Sequence, residues 1–170
     1  RFASSVVLLF DGDAAGAKAT RAAFPLLRAA GLSGRVVRLP DGQDPDGFLQ
    51  ESGAEALERM IEGAPGLLEY LVDEASAGAV GPQERARALQ SLGPLIGLVE
   101  SQVERELHVQ RVSRVFGVQD LGIVRQELRR GWRMERERAG ARASRPSRDT
   151  ETKKNGRDRG KGRERGGAIG

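Results

Sequence analysis

The chain has 170 residues, enough for one ordinary domain with extensions, and carries 28 Lys and Arg against 24 Asp and Glu. It has no cysteine, which excludes a disulfide framework and any thiolate-bound zinc within this stretch. No apolar run approaches the roughly 18 residues of a membrane span and no signal-peptide pattern opens the chain, so a cytoplasmic protein without membrane contact is expected.

The first residue is Arg1 rather than Met, and an apolar run starts at Val6, so the chain reads as a fragment. Ser5 to Phe10 (SVVLLF) is unbroken and rich in β-branched residues, the pattern of a parallel strand buried on both faces. Asp11-Gly12-Asp13 ends it. The pattern then predicts an Ala-rich helix over 14–30, with Ala15, Ala19, Ala22, Leu26 and Ala30 along one stripe, a kink at Pro25 and a C-cap at Gly31.

Arg35 to Leu39 predicts a second strand, followed by the turn residues Pro40-Asp41-Gly42 and then Asp44-Pro45-Asp46. Short helices fit 46–51 and 54–62. Strands alternating with helices imply a parallel sheet with crossover helices. From Pro65 the period stays helical. One stripe holds Leu67, Leu68, Leu71 and Val72. A second holds Leu89, Leu92, Leu95, Ile96 and Val99, interrupted by Gly93-Pro94. A third holds Val103, Leu107, Val112, Val115 and Phe116, and a fourth runs from Leu121 to Trp132. These pieces predict a small helical bundle beside the sheet.

After Trp132 the apolar residues nearly vanish. Residues 133–170 hold thirteen Lys and Arg against six Asp and Glu, leaving 15 basic and 18 acidic residues in 1–132. The basic character therefore belongs to the tail, which is too polar to fold against a core and is expected to be disordered. The expected divisions are an α/β half-domain at 1–63, a helical subdomain at 64–132 and a basic tail at 133–170.

Asp11-Gly12-Asp13-Ala14-Ala15-Gly16 carries the clearest chemistry. Residues at the carboxyl end of a parallel strand face the crevice where such sheets bind ligands. Two carboxylates one residue apart repel each other unless a cation lies between them, and Mg²⁺ suits few carboxylates plus water and phosphate oxygens. The loop 41–46 follows the next strand at the same sheet edge, so both loops can converge on one cation cluster of the kind that serves phosphoryl transfer. Taken alone, the second loop is also ordinary turn chemistry.

Other Asp-rich patterns fit poorly. A calcium loop from Asp11 requires a polar residue at position 15 and Glu at 22, where Ala15 and Ala22 stand. A dinucleotide fingerprint needs a third glycine. A phosphatase of the haloacid dehalogenase type usually has Thr where Ala15 stands.

Val7 through Gly16 resembles the Asp-Gly-Asp-x-Ala-Gly segment of bacterial DnaG-type primases. Leu39-Pro40-Asp41-Gly42-Gln43-Asp44-Pro45-Asp46 is similar to their Leu-Pro-x-Gly-x-Asp-Pro-Asp segment, and Glu104 to Val118 resembles the end of their catalytic core. The first motif alone is shared across the Toprim superfamily, including topoisomerases and nucleases. The resemblance, over about residues 5–130, implies a partial Toprim-like fold and synthesis of short RNA primers on single-stranded DNA from ribonucleoside triphosphates. It places Asp11 and Asp13 on the family's catalytic metal-binding pair, and Asp44 and Asp46 on its second acidic loop. The metal implied is Mg²⁺ or Mn²⁺, and a replicative helicase is the implied partner.

A Glu on an earlier strand and a zinc-binding module are expected only upstream of Arg1, so this stretch alone is expected to be inactive. No helicase-binding domain is recognisable after residue 132. The rival readings are another Toprim enzyme, a topoisomerase or nuclease, or a non-catalytic remnant that binds nucleic acid through its tail.

Lys18 and Arg21 could reach a phosphate but read as a solvated helix face, and His108 reads as a packing or surface residue. Tyr70 reads as core rather than as a nucleophile, and Trp132 as a cap on the small core rather than a base-stacking residue.

Overall fold

A computed structural model describes residues 4–10, 14–40 and 43–143. Two strands, β1 (Ser5–Phe10) and β2 (Ser33–Arg38), pair in parallel, with helix α1 (Ala14–Ala29) crossing between them. The register sets Ser5 beside Ser33 and Phe10 beside Arg38. Alternation along the strands explains their continuous apolar runs. Leu8, Phe10 and Val36 join the core shared with α1 and the later helices, whereas Val7, Leu9, Val37 and Leu39 pack with Phe48, Leu57, Met60 and Ile61 on the other face. That second face is covered by α2 (Pro45–Ser52) and α3 (Ala54–Gly63).

β2 starts two residues earlier than its composition predicts. Ser33 and Gly34 favour strands weakly, but Ser33 donates its backbone N–H to Ser4 at 3.1 Å and the Leu67 side chain lies directly on Gly34. At the far end Leu39 still donates its N–H to the Phe10 carbonyl at 2.8 Å, and the residue is buried. The outer side of β2 meets residues 65–66, where Val36 N–H reaches the Pro65 carbonyl at 3.0 Å.

The remaining helices are α4 (Leu67–Ala77), α5 (Pro82–Gly97), α6 (Gln102–Phe116) and α7 (Leu121–Ala143). Their starts are closed locally. Glu69 and Glu84 fold back onto the backbone N–H of Gly66 and Gly81, Ser101 accepts from Glu104 N–H, and Asp120 accepts from Gly122 and Ile123. α6 ends at Gly117, whose φ of 65° is left-handed, and Val118 N–H returns to the Ser113 carbonyl. Phe24 and Val36 lie in the same core as Leu92, Val112, Phe116 and Val124, so the sheet and the bundle share one apolar interior. Each such side chain contributes about 1.5–3 kcal/mol when fully buried.

Several expected faces are corrected. Among the described residues of α1 the buried positions are Gly16, Thr20 and Phe24, whereas Ala19 and Ala22 are exposed, Leu26 is 72% exposed and Ala30, just past the helix end, is exposed too. The stripe with one large aromatic residue removes more apolar area from water than the alanine stripe, and it wins the core. On α6, Val112 and Phe116 are buried with Val109, but Val103 and Leu107 are 72% and 60% exposed. Those two residues lie one turn apart on the opposite side of the helix. Gly93-Pro94 does not break α5, which runs through both. α7 continues past Trp132 to Ala143, so residues 133–143 are helical, and residues 144–170 lie outside the described residues.

Candidate active site at the strand ends

The parallel pairing fixes where the acidic loops begin. Phe10 and Arg38, the last residues of β1 and β2, are register partners, and the Leu39–Phe10 backbone bond ties the two exits together. Residues 11–13 therefore link the carboxyl end of β1 to α1, and residues 39–44 link the carboxyl end of β2 to α2. Asp11 and Asp13 themselves lie outside the described residues.

Asp44 and Asp46 are described, and both are exposed. Asp44 is the N-cap of α2, with extended backbone and its Oδ1 accepting from Gly47 N–H at 2.6 Å. Pro45 follows at the first helical position, where its missing N–H costs nothing, and Asp46 sits in the first turn, where the helix dipole favours a carboxylate. The helix expected at 46–51 begins one residue earlier, because the N-cap, Pro, acid order of Asp44-Pro45-Asp46 is itself a helix-start signal. Among the described residues no three His, Cys, Asp or Glu side chains converge as a metal site.

The first turn of α1 is pressed onto the end of β1. A β-carbon on Gly16 would approach the Phe10 side chain to 2.9–3.2 Å, so a glycine permits the close packing. Thr20, fully buried, donates its hydroxyl to the Gly16 carbonyl at 2.8 Å. Together these contacts fix the two ends of the 11–13 segment. The glycine was legible as part of the motif, but its reason is tertiary.

Lys18 is exposed, as expected. Arg21 is not a solvated surface charge: its guanidinium donates to the Ser91 carbonyl and so ties α1 to α5. Burial disfavours its charged form, and Glu135 partly offsets that. His108 is half-buried on α6, 3.9 Å from Glu104, which also pairs with Arg28 at 3.2 Å. Desolvation is the main reason its pKa lies below the ordinary 6.5. Tyr70 packs against the main core. Trp132 is 41% exposed, and its indole lies against Gly97, so it covers part of the bundle while staying open to solvent.

Two family models match this chain: a Toprim-like model over residues 1–49 and the DnaB-helicase binding domain of primase over residues 68–120. The second falls on α4–α6, a helicase-binding signature that sequence reasoning sought only after residue 132. A DNA primase from Clostridium acetobutylicum is 30% identical over 125 residues, covering 72% of this chain and 21% of that protein. One from Myxococcus xanthus is 39% identical over 120 residues, covering 68% and 19%. Among solved structures, a DnaG primase catalytic domain bound to single-stranded DNA matches with a TM-score of 0.58 at 31% identity, over 70% of this chain and 39% of that one. The chain thus spans about a fifth of the length of the curated relatives it matches. With both acidic motifs, the parallel strand pair and the following bundle in the same order, the chain belongs to the DnaG-type primase family.

Proposed function

We propose that the protein to which this chain contributes synthesises short RNA primers on single-stranded DNA from ribonucleoside triphosphates, as a metal-dependent nucleotidyltransferase of the cytoplasm. The observation that carries this reading is the tied exit of the two parallel strands, Phe10 beside Arg38 with Leu39 N–H on the Phe10 carbonyl, from which both acidic loops depart. The donor set suits Mg²⁺ or Mn²⁺. It is all carboxylate, and the exposed Asp44 uses its Oδ1 for the helix cap.

Asp11 and Asp13 would hold the cation, and Asp44 with Asp46 would support it from the second loop. A bound divalent cation supplies neutralisation of triphosphate charge during in-line attack by a 3′-hydroxyl. The chain's own part is positioning. Gly16 seats α1 on Phe10, and the cap at Asp44 fixes where α2 starts, so the described residues after the first loop and at the end of the second are braced.

A partner Glu is expected from an additional strand. β1 has no strand along its outer edge among the described residues, and Val6 to Phe10 are only half-buried there. The match of residues 68–120 to a helicase-binding domain supports a replicative helicase as partner, with the exposed Val103 and Leu107 of α6 as apolar surface for it. The relatives named DNA primase favour this reading over a topoisomerase or nuclease.

The test is primer synthesis by the intact protein carrying Asp11→Ala or Asp13→Ala, alongside thermal unfolding. Synthesis is expected to be abolished with the melting temperature nearly unchanged, because removing one of two repelling carboxylates does not weaken the fold. Near-normal synthesis in both variants refutes the assignment. The 170-residue chain alone is expected to show no template-directed incorporation.

A further inference from the structure

Helix α7 has seven arginines and three glutamates, and four of the arginines share one face. At the helical repeat, Arg125, Arg129, Trp132, Arg133 and Arg136 fall on one stripe, with Glu137 bordering it one turn beyond Arg133 and Glu127 and Glu135 off it. The side of α7 that carries Val124 and Gly131 is committed to packing, with Leu128 between it and the stripe. The stripe therefore cannot turn inward, and Arg129, Arg133 and Arg136 are all exposed.

The members of the stripe differ in what already holds them. Arg125 is engaged by Glu106 through two bonds of 3.3 and 2.5 Å. Arg129 and Arg133 make no ion pair among the described residues. The Arg136 guanidinium lies over the Trp132 ring, 5.3 Å from its centroid. Trp132 is seated, because a β-carbon at Gly97 would come within 3.2 Å of its indole. The ring stands at the rim of a groove of about 410 Å³ between α5, α6 and α7, floored by Ile96, Val109 and Leu128. None of the groove's lining comes from β1, β2 or α1–α3, so it is distinct from the acidic loops.

We propose that this face of α7 binds single-stranded nucleic acid, with Trp132 stacked on one base and Arg129, Arg133 and Arg136 on the neighbouring phosphates. The inference rests on the reading that the protein acts on a single-stranded template, and it adds a contact surface to that reading. The exposed Arg129, Arg133 and Arg136 complement a polyanion, and a pre-seated aromatic face among them suits an unpaired base, which a duplex does not offer. Arg136 over an exposed ring is held only about two- to fivefold, whereas a stacked base contributes roughly 5- to 150-fold, so a base displaces the guanidinium and leaves it beside the phosphates.

The chain has a single tryptophan, so its emission reports on Trp132 alone. Titration of the 170-residue chain with a short oligo(dT) is expected to quench that emission. With a labelled oligo(dT), Trp132→Ala is expected to weaken binding about tenfold at unchanged salt dependence. The pair Arg129→Gln with Arg133→Gln is expected to flatten the slope of log affinity against log salt by about 1.4, at ~0.7 per phosphate. The basic residues after 143 are present in every variant and cancel from the comparison. Both arginines are exposed, so that pair carries the test even if loss of the indole unfolds the bundle. Binding with no change in emission and no loss in either variant overturns the proposal, as does failure of the chain to bind oligo(dT). Equal quenching by poly-glutamate assigns the stripe to an acidic protein surface instead and likewise overturns it. Asp11→Ala and Asp13→Ala in the intact protein leave the stripe untouched, so the primase reading stands or falls separately.

Discussion

α5 and α7 cross with their backbones in contact, and the crossing depends on two glycines. A β-carbon on Gly131 would fall onto the Gln90 carbonyl, and one on Gly93 onto the Leu128 carbonyl. Pro94 explains the geometry. It has no N–H to donate to the Gln90 carbonyl one turn earlier, and that carbonyl lies against Gly131. Gly131→Ala should gain about 1 kcal/mol of helix propensity. Against this, the added methyl meets main chain rather than a side chain that can move, which places the overpacking near the upper end of about 1–3 kcal/mol. The net loss is about 2 kcal/mol, or roughly 5–8 °C in melting temperature for a folded unit of this size. Gly140→Ala on the same helix is the control, because nothing lies within 4 Å of its β-position. Thermal unfolding followed by circular dichroism compares the two, with Gly140→Ala neutral or slightly stabilising. Gly131→Ala melting at or above the wild type would show that the two helices are not in backbone contact.

Three further outcomes are expected. Asp44→Ala removes the α2 cap and costs about 1 kcal/mol. Asp44→Asn keeps the acceptor and the stability but lowers primer synthesis by the intact protein; normal synthesis by the Asn variant would reduce Asp44 to a cap. Burial lowers the His108 pKa from 6.5, against the pull of Glu104 and Glu69 and with that of Arg111 and Arg28, so the unfolded chain takes up the proton more readily. His108 therefore contributes full stability above about pH 6.5 and loses it as pH falls through the folded-state value, and His108→Gln should flatten the fall in melting temperature between pH 7 and 5. Identical slopes would remove His108 as the cause. Deleting residues 144–170, with nine basic and four acidic residues, should weaken single-strand binding modestly and without sequence preference while leaving metal binding unchanged. Equal affinity and salt slope with and without them would make the segment a linker.

The two strands, the seven helices and the order of sheet before bundle were legible because they rest on local signals: β-branched runs, a 3.6-residue period and the helix stop at Gly31, whose φ of 66° is left-handed. The acidic motifs were legible for a related reason, since closely spaced carboxylates after an apolar strand carry a charge cost that shows in the sequence itself. The choice of buried face on α1 was not legible. Periodicity offered an alanine stripe and a Phe24 stripe, and only the presence of Val36 and the bundle opposite Phe24 decided between them. Val103 and Leu107 looked like core because apolar character marks what could be buried, not whether a partner surface exists. Gly93-Pro94 looked like a break, since nothing local says that a second backbone will occupy the space a side chain would need. The sequence by itself determined the elements, because they follow from residues within a few positions of each other. The tertiary structure decided which faces meet, where glycine is required and that Arg21 anchors a helix, because each depends on atoms contributed by distant parts of the chain.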